Sequence, residues 1–396
     1  AQTLTRLGSI VTRQAERPRR SAVVGNLAAV VVLVATIGAV VHVAGNWSEA
    51  TSGIREEIEQ IPALQATVQQ QAAAGSESML VLVTDGSDRI GSITLLAAAD
   101  DAAGSLTVIP SSLFELLPGY GDFPLRDAML FEGDELAGLA VANALGARID
   151  RVVALAPGEL AAALSEPLQL ELSEPVLVPQ DDSLVQLADA GSGLFDGRLV
   201  ERLLLEQGEA APVSWVERQS SIWTSLLDRA GSDPTFAARL LGDGSPAATL
   251  GRIAANEPRV SLLPVTPVAV AGAEDGFQSS QADISAFVTD TLGHLALATG
   301  ERPRVEVLNG NGRILATRSV VAALVATGFH VVKTDNADNF DFEETVVISQ
   351  GRDNIDAAKL AVATLGVEVL QLELAAPSGV VDVSIIVGQD IATLRS

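Results

Sequence analysis

The chain has 396 residues, with 25 Lys and Arg against 50 Asp and Glu, a net charge of −25 and no cysteine. That acidity excludes nucleic-acid binding through a basic surface. The missing thiols exclude disulfides, thiolate metal centres and cysteine nucleophiles, and His42, His294 and His330 are too scattered in sequence to suggest a zinc site.

Residues 1–21 form a basic tail, with Arg6, Arg13, Arg17, Arg19 and Arg20 against Glu16 alone. Residues 22–44 contain no Asp, Glu, Lys or Arg. At about 1.5 Å per residue this run spans a hydrocarbon layer of ~30 Å as a helix. Positive charge before it predicts a single-pass cell-membrane protein with a cytoplasmic amino terminus and everything beyond outside. A cleaved signal peptide competes, since small residues follow at His42–Asn46, but the run exceeds the roughly 7–15 residues of such a segment. Residues 45–77 read as a stalk. Its stripe of Ile54, Ile58, Ile61, Leu64 and Val68 offers a homodimer seam, or a face that lies on its own domain, and Pro62 interrupts any long helix.

Residues 78–298 are expected to form one sizeable α/β sandwich. Met79–Val83, Ser92–Leu96, Ser105–Ile109 and Arg151–Leu155 read as strands. Leu136–Leu145 reads as a helix closed by Gly146, with further helical stretches at Leu160–Leu164 and Leu199–Leu205. Gln278–Gln281 reads as linker or loop. Residues 299–396 form a smaller α/β unit in a βαββαβ-like order. Its strands are Arg304–Leu308, Phe329–Lys333, Thr345–Ser349 and Val380–Val387, and its helices are Ala316–Thr327 and Ile355–Leu365. Asn309–Gly312 looks superficially like a phosphate cradle, but no Lys or Ser/Thr follows at Walker spacing, and a turn is the plainer reading.

The run VEVLNGNG from Val305, the helix ATRSVVAALVATG, the segment ETVVISQGRDNIDAAKLAVATLG and VDVSIIVGQD together resemble the LytR C-terminal domain. That resemblance covers nearly all of the second unit. Such domains follow LytR-CpsA-Psr catalytic domains on single-pass membrane proteins of Gram-positive bacteria. Members of that family move polyprenyl-pyrophosphate-linked glycopolymers onto peptidoglycan. Residues 78–230 are similar to the family in element order, including the Pro118–Gly121 segment, whose Tyr120 reads as a loop residue or as the lining of a lipid groove.

The charged motifs depart from the family pattern. Arg89 and Arg218 stand where the resemblance places pyrophosphate-binding arginines. Gly91 takes an aspartate position, Ser111 and Ser112 take an arginine and an aspartate position, and Trp215 takes another arginine position. A departing pyrophosphate needs clustered arginines, usually with a divalent cation, and serine does not replace the guanidinium fork. Mg²⁺ enters only with a retained pyrophosphate site, with Asp85, Asp88, Asp100 or Asp101 as neighbouring carboxylates. Arg89 reads otherwise as a solvated turn residue, and Arg218 as a salt-bridge partner of Glu217 or Glu209. The leading expectation is therefore a non-catalytic envelope relative that binds polymer, lipid or a partner. An active glycopolymer transferase using unrecognised groups is the alternative.

Overall fold

A computed structural model describes residues 76–99, 103–181, 183–256, 258–269, 276–367, 371–375 and 379–393. The basic tail, the apolar run at 22–44, nearly all of the stalk, and Asp100 and Asp101 lie outside the described residues. Among the described residues, no helix is long and apolar enough to cross a membrane.

The larger domain is built on β1 (Glu77–Thr84), β2 (Ile90–Ala98) and β3 (Ser105–Ile109). The hairpin β4 (Phe114–Leu117) and β5 (Gly121–Pro124) follows, then helices α1 (Ala128–Glu132) and α2 (Asp134–Leu145), strand β6 (Arg151–Leu155) and helix α3 (Glu159–Ala163). Two small antiparallel pairs come next: β7 (Leu168–Leu172) with β10 (Gly191–Phe195), enclosing β8 (Val176–Gln180) with β9 (Ser183–Ala188). Helices α4 (Gly197–Leu205), α5 (Pro212–Ser232), α6 (Pro234–Leu241) and α7 (Ser245–Ala254) precede β11 (Arg259–Leu262). Strands β12 (Thr266–Val268) and β13 (Gly276–Gln278) and helix α8 (Gln281–Thr291) complete the domain.

Its five-stranded sheet runs β11-β3-β2-β1-β6, with β1–β2 and β2–β3 antiparallel and both outer pairings parallel. β1 and β2 are buried almost throughout, on both faces. That burial explains why they read as continuous apolar runs rather than alternating ones. Asp196 caps α4 by accepting from the Leu199 N–H at 2.9 Å, and Pro212 opens α5, where its missing N–H costs nothing.

The smaller domain comprises β14 (Arg304–Asn309), α9 (Ile314–Ala326), β15 (His330–Asn336), β16 (Val346–Gln350), α10 (Ile355–Leu365), β17 (Gln371–Ala375) and β18 (Val383–Val387). The sheet order is β15-β14-β18-β16-β17. Two expectations are corrected here. The last strand starts at Val383, not Val380, because Gly379 at φ +72 and the exposed Val380 form a turn. β17 adds a strand beyond the expected order. Gln278–Gln281 is a loop only in part: Gln278 ends β13, Ser279 and Ser280 form the loop, and Ser280 caps α8 through the Asp283 N–H at 3.1 Å.

The two cores meet at a polar joint. Leu116 of β4 belongs to the smaller domain's core, and Leu139 and Ala142 of α2 pack against it. Asn143 on α2 donates to the Val331 carbonyl at 2.8 Å and accepts from the Val331 N–H at 2.9 Å, so its amide extends the edge of β15. The buried Arg302 donates to the carbonyls of Asn143 (2.7 Å) and Ala144 (3.1 Å) at the end of α2. Gly146 ends that helix at φ +63, and a Cβ there would lie 2.7 Å from Arg302 Nε, so both conformation and space require glycine. Burial lowers Arg302 to about 10 despite the nearby Glu115. Burial raises Glu115 to about 7, against a 3.4 Å contact from Ser279 and the charge of Arg302. Burial, then Arg302 and Arg304, lower His330 to about 4.

Candidate functional site

The residues that carry the family's charged motifs lie where the β1–β2 turn, the end of β3 and helices α4 and α5 converge. Gly91 is the centre of this region. Its carbonyl accepts from Ser111 Oγ at 3.2 Å and from Gln219 Nε2 at 2.9 Å. Gln219 Nε2 also donates to the Leu204 carbonyl at 2.9 Å, tying the end of α4 to β2. A Cβ built on Gly91 would lie 2.5 Å from Leu205 Cδ2 and 3.3 Å from the Leu205 Cα. A side chain at position 91 would therefore need the Leu205 side chain of α4 to shift.

The positions that depart from the family pattern are closed in the same way. Ser111 and Ser112 are both buried, and their carbonyls accept from the N–H groups of Arg126 (2.7 Å) and Phe277 (3.1 Å). Trp215 is buried on α5 and donates from Nε1 to the Leu204 carbonyl at 3.3 Å. Two turns further, α5 buries Trp223, whose Nε1 donates to Ser92 Oγ at 3.1 Å.

The two retained arginines serve different ends. Arg218 is buried and donates from Nε to the Leu203 carbonyl at 3.0 Å, and from Nη2 to the carbonyls of Glu206 and Gln207. It caps the carboxy terminus of α4, where helix carbonyls lack intrahelical partners. It is not the Glu217 or Glu209 ion pair considered above. Burial lowers it to about 10, opposed by Glu174 and Glu206, so it is cationic at neutral pH. Arg89 sits outside this packed region, with its side chain 44% exposed and Nε 3.1 Å from Asp127 Oδ1. The structure thus joins Gly91, Ser111, Trp215, Arg218 and Gln219 around the end of α4, and turns Arg89 towards Asp127.

Beside Arg218 lies a cavity of about 400 Å³, bordered by Glu171, Glu174, Ser214, Glu217 and Ser221. Three carboxylates to one guanidinium make it unfavourable to a pyrophosphate. The fit to a divalent cation is also poor. Asp85 accepts from Ser87 N (2.8 Å), Ser87 Oγ (2.7 Å) and Arg89 N (3.1 Å) within its own turn. Its pKa is lowered because these bonds outweigh its burial. Among the described residues, no group of three or more His, Cys, Asp or Glu could hold a metal ion.

The other sequence candidates are structural. Asn311 donates from Nδ2 to the Gly388 carbonyl at 2.7 Å and accepts from Arg313 N at 2.9 Å, so Asn309–Gly312 ties the end of β14 to the end of β18. Leu205, which decides the fate of Gly91, and the joint residues Asn143 and Arg302 were not singled out by the sequence. A polar Asn within the apolar helix LAVANAL was the one available signal.

Fold and site together define a two-domain α/β protein in which Gly91, Ser111, Trp215, Arg218 and Gln219 pack around the end of one helix. Residues 302–390 match the family described as LytR cell envelope-related transcriptional attenuator. Solved structures similar to the chain are LytR-CpsA-Psr proteins. TagV of B. subtilis is 12% identical with a TM-score of 0.46, covering 57% of this chain and 100% of its own. TagT (YwtF), of B. subtilis and solved with bound octaprenyl pyrophosphate lipid, is 16% identical with a TM-score of 0.43, covering 57% and 92%. The LytR-Csp2A-Psr enzyme from Actinomyces oris is 14% identical with a TM-score of 0.42, covering 56% and 90%. No curated protein matches the chain.

Proposed function

We propose that the chain is a non-catalytic LytR-type protein of the bacterial cell envelope, anchored by residues 22–44 with its folded domains outside the cytoplasmic membrane. Its role is binding or scaffolding rather than glycopolymer transfer to peptidoglycan. The cell-envelope family of residues 302–390 supports the compartment. The observation that supports the non-catalytic reading is Gly91 packed against Leu205, whose Cδ2 lies 2.5 Å from a Cβ built there. The guanidinium of Arg218, spent on the carbonyls of Leu203, Glu206 and Gln207, accompanies it. Phosphoryl chemistry depends on donors aimed at developing charge, each worth roughly 3 kcal/mol, and here those donors face backbone carbonyls.

The test is a transfer assay with full-length protein, a polyprenyl-pyrophosphate-linked glycan, peptidoglycan and Mg²⁺. The expected result is no release of polyprenyl phosphate above a protein-free control. Release that is abolished by Arg89→Ala, a substitution outside the packed region, overturns the reading in favour of an active transferase.

A further inference from the structure

The Pro118–Gly121 turn and helix α1 present an aromatic cluster in which Tyr120 and Phe123 are partly buried against the larger core while Leu130 and Phe131 stay exposed. The Tyr120 and Phe123 rings lie 4.6 Å and 5.0 Å from that of Phe131, and Phe131 and its neighbour Leu130 are exposed. This cluster does not stop at the domain boundary. A Cβ on Gly119 would lie 3.3 Å from Ile314 Cγ2, at the start of α9, and the Gly119 N–H donates to Thr334 Oγ1 at 3.0 Å. Ile314 and Leu315 are both exposed, and exposed Phe340 comes within 3.6 Å of a Cβ built on Gly312. Beneath the row, Arg318 pairs with Glu132 at 2.6 Å and approaches Glu135 at 3.6 Å. Exposed apolar side chains thus stand on both sides of the joint that Asn143 and Arg302 bridge. Exposed apolar groups gathered in this way mark an interaction site more often than chance surface.

Charge selects the occupant. Asp122, Asp338 and Asp341 are exposed around the row against Arg313, while Arg318 is matched by Glu132 and Glu135. A second copy would bring the same acidic rim and a net charge of −25, and an anionic lipid surface would be repelled for the same reason. A glycan could stack on the rings but would gain little from Leu130, Ile314 and Leu315. We propose that this surface docks a protein segment presenting apolar side chains flanked by Lys or Arg. Such a segment would bury its apolar groups on the row and be steered by the acidic rim. The proposal does not depend on whether the cleft retains a ligand.

The experiment places photoreactive p-benzoylphenylalanine at position 315 of the full-length chain in its native cells and sequences the cross-linked peptide. Leu315 is 61% exposed and Leu130 is 50% exposed, so changes at either leave the fold intact. The expected adduct is a single protein segment with apolar residues and net positive charge. Its yield should fall at least tenfold with Leu130→Ser, and separately with Asp338→Lys combined with Asp341→Lys. An adduct to a lipid, a glycan, a second copy or an acidic segment overturns the proposal. So does the absence of an adduct, or an adduct insensitive to the charge reversals.

Discussion

The cleft around Gly91 and the row around Phe131 both lie on segments that carry family motifs, yet they end in opposite states. In the cleft, Ser111, Arg218 and Gln219 turn inward and bond to carbonyls of Gly91, Leu203, Leu204, Glu206 and Gln207. Over the row, Tyr120 and Phe123 lean on the core while Leu130, Phe131, Ile314 and Leu315 stay in solvent. Retaining an arginine at a motif position therefore says little by itself about anion binding. What matters is whether its donors face a cavity or a helix end.

Breaking the cleft should have the largest effect. Arg218→Ala leaves the terminal carbonyls of α4 buried without donors and should cost about 3 kcal/mol in urea unfolding. Arg218→Lys should recover only part of this, because one ammonium does not reproduce the guanidinium fork. The joint beneath the row comes next. Asn143→Ala removes both bonds to Val331 and should cost about 2 kcal/mol, with faster amide exchange at Val331 as its local signature. An unchanged exchange rate there would mean that the Asn143 bonds do not hold this edge of β15.

A pH series sharpens the comparison further. Glu115 has a folded pKa of about 7, above its unfolded value. The folded state therefore holds its proton longer, and stability falls as pH rises through that window. Glu115→Gln should match the parent at pH 4 and exceed it by about 2 kcal/mol at pH 8. His330, lowered to about 4, works the other way: its contribution is lost as pH falls from its unfolded value. The smallest effect belongs to Arg89→Ala. Its ion pair with Asp127 is screened by solvent and should be worth below about 0.5 kcal/mol.

Strand and helix runs were legible because burial and periodicity are local properties. Arg151–Leu155 and Ile355–Leu365 stand at the residues expected of them, and Gly146 closes α2 as its position suggested. β7 escaped notice even though Leu168–Leu172 alternates buried and exposed side chains, since a five-residue strand gives a short signal. The state of the cleft was less legible. The loss of charge at positions 91, 111, 112 and 215 could be read directly. The burial of Arg218 depends on carbonyls 11 to 15 residues away that only the α4–α5 packing brings near. Leu205 opposite Gly91 gave no sequence signal, because a leucine on an apolar helix face looks the same whatever it packs against.

Native mass spectrometry of the detergent-extracted full-length protein, with excess polyprenyl pyrophosphate and Mg²⁺, tests the closed cleft most directly. A protein that stays free of lipid is the predicted result. A stoichiometric lipid complex that is lost on Arg89→Ala would mean that the cleft opens and binds, and would contradict it.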